Sequence, residues 1–169
     1  MGFSVTIAST IVLIGLIAFA SATTASMLYT LNNLTTLTNT SLNQKLGAQL
    51  ELDIININAS TVQFYVKDTG SSPIFLRSQT FNWNSVIVAY NNSGWRSYLI
   101  DNYTVSEIKV QGSQVLFNVS AHRFINPGEQ ARIEATLPIG APEIPMNESV
   151  LIVFVSHYGI SAMKEGVRA

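Results

Sequence analysis

Cysteine is absent from the 169 residues, which removes disulfides, thiolate nucleophiles and Cys-ligated metals together. Charge is scarce too: 11% of residues are Asp, Glu, Lys or Arg, where soluble domains carry about 25%. Nine basic residues balance ten acidic ones with no basic stripe. That excludes nucleic acid as a partner, since neutralising phosphates takes clustered Lys and Arg. Long apolar runs are also few. Only one stretch could cross a bilayer, so a multi-span membrane protein is excluded. The first charged side chain in the chain is Lys45. Length allows one ordinary domain plus an appendage.

The one apolar stretch runs from Val5 to Ala25, with nine large apolar residues between Val5 and Phe19. About 20 helical residues span a hydrocarbon core of roughly 30 Å, and each large apolar residue contributes about −0.3 to −0.6 kcal/mol to insertion. Residues 1–30 are therefore expected to form a transmembrane helix in contact with the lipid bilayer. A cleaved secretory signal needs a basic n-region, and Met1–Ser4 carry no Lys or Arg. Met1-Gly2-Phe3-Ser4-Val5-Thr6 fits a myristoylation pattern, but a chain that already spans the bilayer gains little from an acyl group. Orientation is read from N-x-S/T sequons at Asn33, Asn39, Asn58, Asn91, Asn102, Asn118 and Asn147, half of the fourteen asparagines. With 32 Ser and Thr in the chain, chance would supply two or three. The excess points to a glycoprotein, single-pass in the cell membrane, with its C-terminal part extracellular.

Residues 31–47 are rich in Thr and Asn. Leu28, Leu31, Leu34 and Leu37 drift around a 3.6-residue helix. Either a helical stalk or a linker fits, and the weak helix formers around Asn39-Thr40-Ser41 favour the linker. From Ala48 the period changes to two: Leu50, Leu52 and Ile54 alternate with Glu51 and Asp53. Further strands are expected at Val62–Lys67, Val86–Tyr90, Arg96–Ile100, Thr104–Val110, Gln114–Ser120, Gln130–Leu137 and Val150–His157. Gly, Pro, Asn and Ser clusters separate them. This spacing predicts an all-β fold over 48–160, an immunoglobulin-like antiparallel β-sandwich. Val150–Val155 lacks polar alternation, which predicts a central strand covered on both faces. Residues 161–169 are expected to be a frayed C-terminal tail.

Chemistry needs convergent titratable groups, and the sequence shows none. His122 and His157 stand apart, and no metal-ligand spacing, Ser-centred elbow, glycine-rich phosphate loop or calcium loop occurs. Glu51 and Asp53 point the same way on one strand, roughly 6 to 7 Å apart, a separation within the glycosidase range. They lie on one polar face, however, not across a cleft. An enzyme is not expected, nor are catalytic residues, a metal or a cofactor. Aromatic residues are a better lead. Phe81 and Trp83 alternate with Asn82 and Asn84, while Tyr90, Trp95, Tyr98 and Tyr103 bracket a turn. Some must be core; the others are candidate protein-binding anchors. Edge strands of a sandwich could also pair two copies into a homodimer.

The opening Met1-Gly2-Phe3-Ser4 with its apolar run, the cysteine-free β-domain, the turn Asn126-Pro127-Gly128-Glu129 before Gln130–Leu137, and Ser156-His157-Tyr158-Gly159 after the last strand together resemble the archaeal flagellar (archaellar) protein F family. They are also similar to its sister, archaellar protein G. The resemblance implies a stator component of the archaellum, the motor of archaeal cell motility. Its extracellular sandwich would lie between the membrane and the S-layer, bind S-layer protein and anchor the motor. Protein G and the archaellum filament or motor would be its neighbours. The family has no catalytic residues to carry over. An alternative class, the archaellin or type IV pilin-like filament subunit, also joins an apolar helix to a β-domain, with the helix in the filament core. Its precursor presents Lys or Arg before the cleaved glycine, and here only Met1 precedes Gly2. Beyond residue 44 the charged fraction is still only about 15%. A surface made polar by Asn, Ser and Thr changes little with acid.

Overall fold

The computed structural model describes residues 3–78, 81–101 and 103–169. The chain divides into two compact units, Met1–Asn43 and Gln44–Ala169.

A single helix, α1, covers Phe3–Gly47. At 1.5 Å per residue its 45 residues measure about 68 Å. Within it Ser9–Leu37 is long and apolar enough to cross a membrane, and none of that span is buried in the protein. Ile11, Leu13, Ile14, Leu16, Ile17 and Phe19 are all more than half exposed. A helix apolar all round needs lipid or other helices about it. Among the described residues many of its hydroxyls are satisfied internally: Ser21 donates to Ile17 O at 2.8 Å, Thr24 to Ala20 O at 2.8 Å, Thr30 to Ser26 O at 2.9 Å and Thr35 to Leu31 O at 2.9 Å. These bonds let Ser and Thr lie in an apolar medium. They also account for a correction. Residues 31–47 do not dissolve into a linker; of the two readings, the helix is the one formed. No Pro or Gly interrupts the run from Leu16 to Leu46, and back-bonded Thr continues the ladder.

The second unit is a β-sandwich. One sheet contains, in spatial order, β1 (Leu50–Ile57), β2 (Thr61–Asp68), β9 (Glu129–Thr136), β6 (Thr104–Val110) and β7 (Leu116–Phe117). The other contains β11 (Ser161–Val167), β10 (Ser149–Val155), β4 (Ser85–Asn91) and β5 (Trp95–Ile100). A two-stranded ribbon pairs β3 (Ile74–Phe75) with β8 (Phe124–Ile125). All pairings are antiparallel, as in an immunoglobulin-like sandwich. The core is the interdigitated inner faces: Val62, Phe64, Val66 and Ile133 from one sheet, Val86, Val88, Ile152 and Phe154 from the other. Alternation along β2 and β10 is strict, one residue buried and the next half-buried, the period-two signature of one covered face.

Three expectations are corrected. The segment 161–169 is not a tail, since its first seven residues form β11 against β10. Two of the three positions on its Ala162 face are small: Ala162 is buried, and a Cβ on Gly166 would stand 2.8 Å from Ile54 Cδ1, with exposed Lys164 between them. Small inward residues let β11 lie close to β1 while hiding the hydrophobic alternation. Strand β10 is central, but only one face is covered, with Leu151, Val153 and Val155 half-buried on the other. The stretch Gln114–Ser120 is not a full strand. Only Leu116–Phe117 pair, because Ala121 N–H and His122 N–H both turn back to Asn118 O.

Candidate interaction surface

One end of the sandwich gathers aromatic rings from segments far apart in sequence. The organiser is Asn84, 4% exposed at the entry to β4. Its amide Nδ2 donates to Phe75 O at 2.8 Å, and its Oδ1 accepts the His157 backbone N–H at 2.9 Å. Trp83 N–H donates to Leu76 O at 3.0 Å, and Ser78 N–H to Phe81 O at 2.8 Å. Three chain segments are thereby tied together, each bearing a ring next to its tie. Phe75 meets His157 edge-on at 5.5 Å, Trp83 meets it at 6.5 Å, and Tyr158 lies 3.9 Å from it. Phe81 tilts against Trp83 at 4.9 Å. Despite these contacts Phe75, Phe81 and Trp83 are each about half exposed, at 45%, 51% and 49%. Exposed aromatics clustered this way mark an interaction site more strongly than scattered surface residues do.

Two concavities share Trp83. A cleft of about 380 Å³ is walled by Phe75, Trp83, His157 and Tyr158. A larger one of about 630 Å³ has Phe81 and Trp83 on its wall with Arg77, Asn82 and Asp101. Arg77 and Asn82 form an isolated antiparallel bridge, and the Asn82 amide donates to Asp101 O at 3.0 Å and Tyr103 O at 3.3 Å. Burial holds the His157 imidazole below its ordinary pKa, so it is neutral at pH 7, and its Nδ1 is buried without a partner.

The ring series continues behind Phe75 through Phe124 at 6.0 Å to His122, which stacks on Phe117 at 4.5 Å. His122 Nε2 lies 2.8 Å from Glu129 Oε2. The same carboxylate accepts Asn126 N–H at 2.8 Å, so Glu129 caps the Asn126-Pro127-Gly128-Glu129 turn. Pro127 presets φ, Gly128 takes φ 84°, and Glu129 N–H closes on Asn126 O at 2.9 Å, a type II arrangement. Burial would push the Glu129 carboxyl up, but the bonds from Asn126 and His122 together hold it below its ordinary value. Nearby Asp68, fully buried with Oδ2 unpartnered, is pushed up by burial.

The aromatic residues singled out from sequence separate into two sets. Phe81 and Trp83 belong to the exposed cluster. Tyr90 and Tyr103 do not: both are core, 0% and 4% exposed. Tyr90 donates its hydroxyl to Pro142 O and Tyr103 to Leu76 O, and burial raises each pKa to about 12. They sit where the β4 and β6 pleats face inward. Tyr98 is half-buried, stacked on Tyr90 at 5.7 Å. Trp95 is 68% exposed but pairs with Asn91 at the far end of β4, about 24 Å of strand from the cluster. Phe75, His157 and Tyr158 join the cluster without having been candidates in the sequence. Their one signal was position, each next to a strand end beside a turn.

Of the sequons, Asn33 is exposed on α1, Asn39 lies on α1 with its side chain outside the description, and Asn102 lies outside the described residues. Asn58, Asn118 and Asn147 are exposed, the last with φ 61°. Asn91 is half-buried, its Oδ1 accepting Gly94 N–H at 2.9 Å. Asp53 pairs with Lys67 while Glu51 is exposed. Among the described residues, no group of three or more His, Asp or Glu is placed to hold a metal ion.

No family model and no curated protein matches the chain. Solved structures do. The archaeal flagellum of Methanospirillum hungatei strain JF1 is 16% identical over 96% of this chain and 93% of that one, with a TM-score of 0.61. The archaellum periplasmic stator protein FlaG of Sulfolobus acidocaldarius is 17% identical over 70% of this chain and 99% of that one, at 0.48. The FlaF and FlaG stator complex of the same organism is 17% identical over 70% and 88%, at 0.47. At a TM-score of 0.61 and 16% identity the first of these shows a shared fold, over 96% of this chain.

Proposed function

We propose that this protein is a membrane-anchored archaellar component of the stator kind. One end is held in lipid by α1 and the other fixed by its extracellular sandwich to the S-layer. The observation that carries the reading is the joining of two unlike parts in one chain. A helix that carries no charged side chain before Lys45 and is apolar over Ser9–Leu37 leads into an independently cored β-sandwich with an exposed aromatic end. A part that resists torque needs both ends held, and this architecture supplies two attachments. The resemblance of the N-terminal run and of the Asn126–Glu129 turn to the archaellar protein F family supports the same reading. The phenyl and indole rings of Phe75, Phe81 and Trp83 are the anchors for the protein contact, with archaellar protein G, a second copy and the motor or filament as further neighbours. The sequons Asn58, Asn118 and Asn147 on the β-sandwich are exposed and suit a glycosylated exterior.

A second reading has its own observation. The helix is unbroken to Gly47, and the match to the archaeal flagellum of Methanospirillum hungatei extends over 96% of the chain. Both support a filament subunit, whose helix would be covered by neighbouring helices instead of lipid. Two measurements decide. Full-length protein in nanodiscs is incubated with isolated S-layer protein between pH 3 and pH 7, and the stator reading expects retention. Filaments are then sheared from cells and separated from membranes. Protein confined to membranes supports the stator, and no S-layer retention at any pH overturns it. Protein abundant in sheared filaments makes it a filament subunit.

A further inference from the structure

We propose that the two clefts joined at Trp83 form one binding site for a neutral carbohydrate. Their volumes, about 380 and 630 Å³, fall in the range of small-ligand pockets, roughly 300–1,000 Å³. Sugar rings offer apolar C–H faces and hydroxyls that both donate and accept. The aromatic cleft answers the first property with the rings of Phe75, Trp83 and Tyr158. The polar cleft answers the second. Arg77 only donates, the Asp101 carboxyl group accepts, and Asn82, whose amide N–H groups are taken by Asp101 O and Tyr103 O, offers its Oδ1 as a further acceptor. Charge there is balanced, one guanidinium against one carboxylate, and His157 in the neighbouring cleft is uncharged. A phosphate or sulfate would meet Asp101, and an ammonium group would meet Arg77. A neutral polyhydroxyl ligand meets neither penalty. Rigidity supports the assignment as well. Asn84 and the Trp83 N–H bond to Leu76 O hold the rings in place before any ligand arrives, so little side-chain entropy is lost on binding.

This inference goes beyond the proposed archaellar role and does not depend on it, because it is read on purified protein. Full-length chain in phospholipid nanodiscs, free of sugar detergents, is titrated with mannotriose, maltotriose and cellotriose by saturation-transfer NMR and calorimetry. At least one trisaccharide binds, and Trp83→Ala weakens it roughly tenfold or more. Asp101→Asn weakens it as well, while Trp83→Phe retains part of the affinity. Met163→Ala, on exposed β11 and lining neither cleft, changes nothing. Should Trp83→Ala melt early, Asp101→Asn at an exposed position carries the test. Absence of binding by all three sugars overturns the proposal. So does binding indifferent to both Trp83 and Asp101. A proline-rich peptide that binds through Trp83 where sugars do not would make the cleft a peptide groove instead.

Discussion

Replacing Asn84 tests whether one buried amide holds the aromatic end together. In Asn84→Ala the two short hydrogen bonds go, to Phe75 O and from His157 N–H, with the longer ones to Leu76 O at 3.4 Å and the Tyr103 hydroxyl at 3.5 Å adding little. Each is worth about 1 kcal/mol net, and groups left buried without partners add about 1 kcal/mol or more. The expected loss is about 3 kcal/mol. For the 126 residues of Gln44–Ala169, an unfolding entropy of about 2.1 cal/mol/K per residue turns this into a fall in Tm of about 11 °C. Asn84→Asp sharpens the test. Its carboxylate keeps the acceptor for His157 N–H but sets a negative oxygen against the Phe75 carbonyl. The folded state then disfavours ionisation, so its pKa is raised. Stability is full below the unfolded pKa and lost as pH rises through the folded one. Near-UV circular dichroism melts at pH 4 and pH 7 read both effects, and the Trp83 signal reports local loosening. A Tm fall under about 3 °C for Asn84→Ala would refute the reasoning. So would an Asn84→Asp variant that is no more stable at pH 4 than at pH 7, relative to wild type.

Three further outcomes are expected. Asp68→Asn replaces a buried carboxylate that burial pushes up; ionised Asp68 weakens the fold as pH rises through its raised pKa. The variant is therefore about 1 kcal/mol more stable at pH 7 and gains nothing at pH 3, by denaturant titration at both. Gly70→Ala places a Cβ 2.4 Å from both Gln49 N and Gly47 O. Backbone cannot yield there, so destabilisation of about 1–3 kcal/mol is expected, read as an earlier melt of the β-sandwich. Leu13→Arg with Ile17→Arg adds about 5–7 kcal/mol to insertion at the helix centre, more than the apolar side chains supply. The protein should leave the carbonate-resistant membrane fraction.

Much of this was legible in one dimension. The helix was, because apolar transfer adds residue by residue and needs no partner. Seven of the main strands were anticipated near their observed positions, because alternation reports a half-covered face wherever the other sheet lies. The Asn126–Glu129 turn was plain from Pro127 and Gly128, whose φ preferences are local. The failures were places where the decisive neighbour is distant. β11 reads as a tail because its Ala162 face shows Ala, Lys and Gly, no hydrophobic alternation, and Gly166 is small to suit Ile54 on another strand. Of the six candidate aromatics some had to be core, and the sequence does not sort Tyr90 and Tyr103 from the exposed ones because a tyrosine carries a polar tip that here is satisfied by a carbonyl tens of residues away.

The sequence by itself determined that an uncharged apolar helix precedes a cysteine-free antiparallel β-domain and where most turns fall, since these follow from local propensity and periodicity. Only the tertiary structure decided which aromatics are buried and which gather exposed at one end. Phe75, Trp83 and His157 meet because β4 pairs with β10 and because Asn84 bonds across 73 residues of sequence to His157. Periodicity says which way a side chain points, but only the packing of one sheet on another decides whether that direction is core or open water.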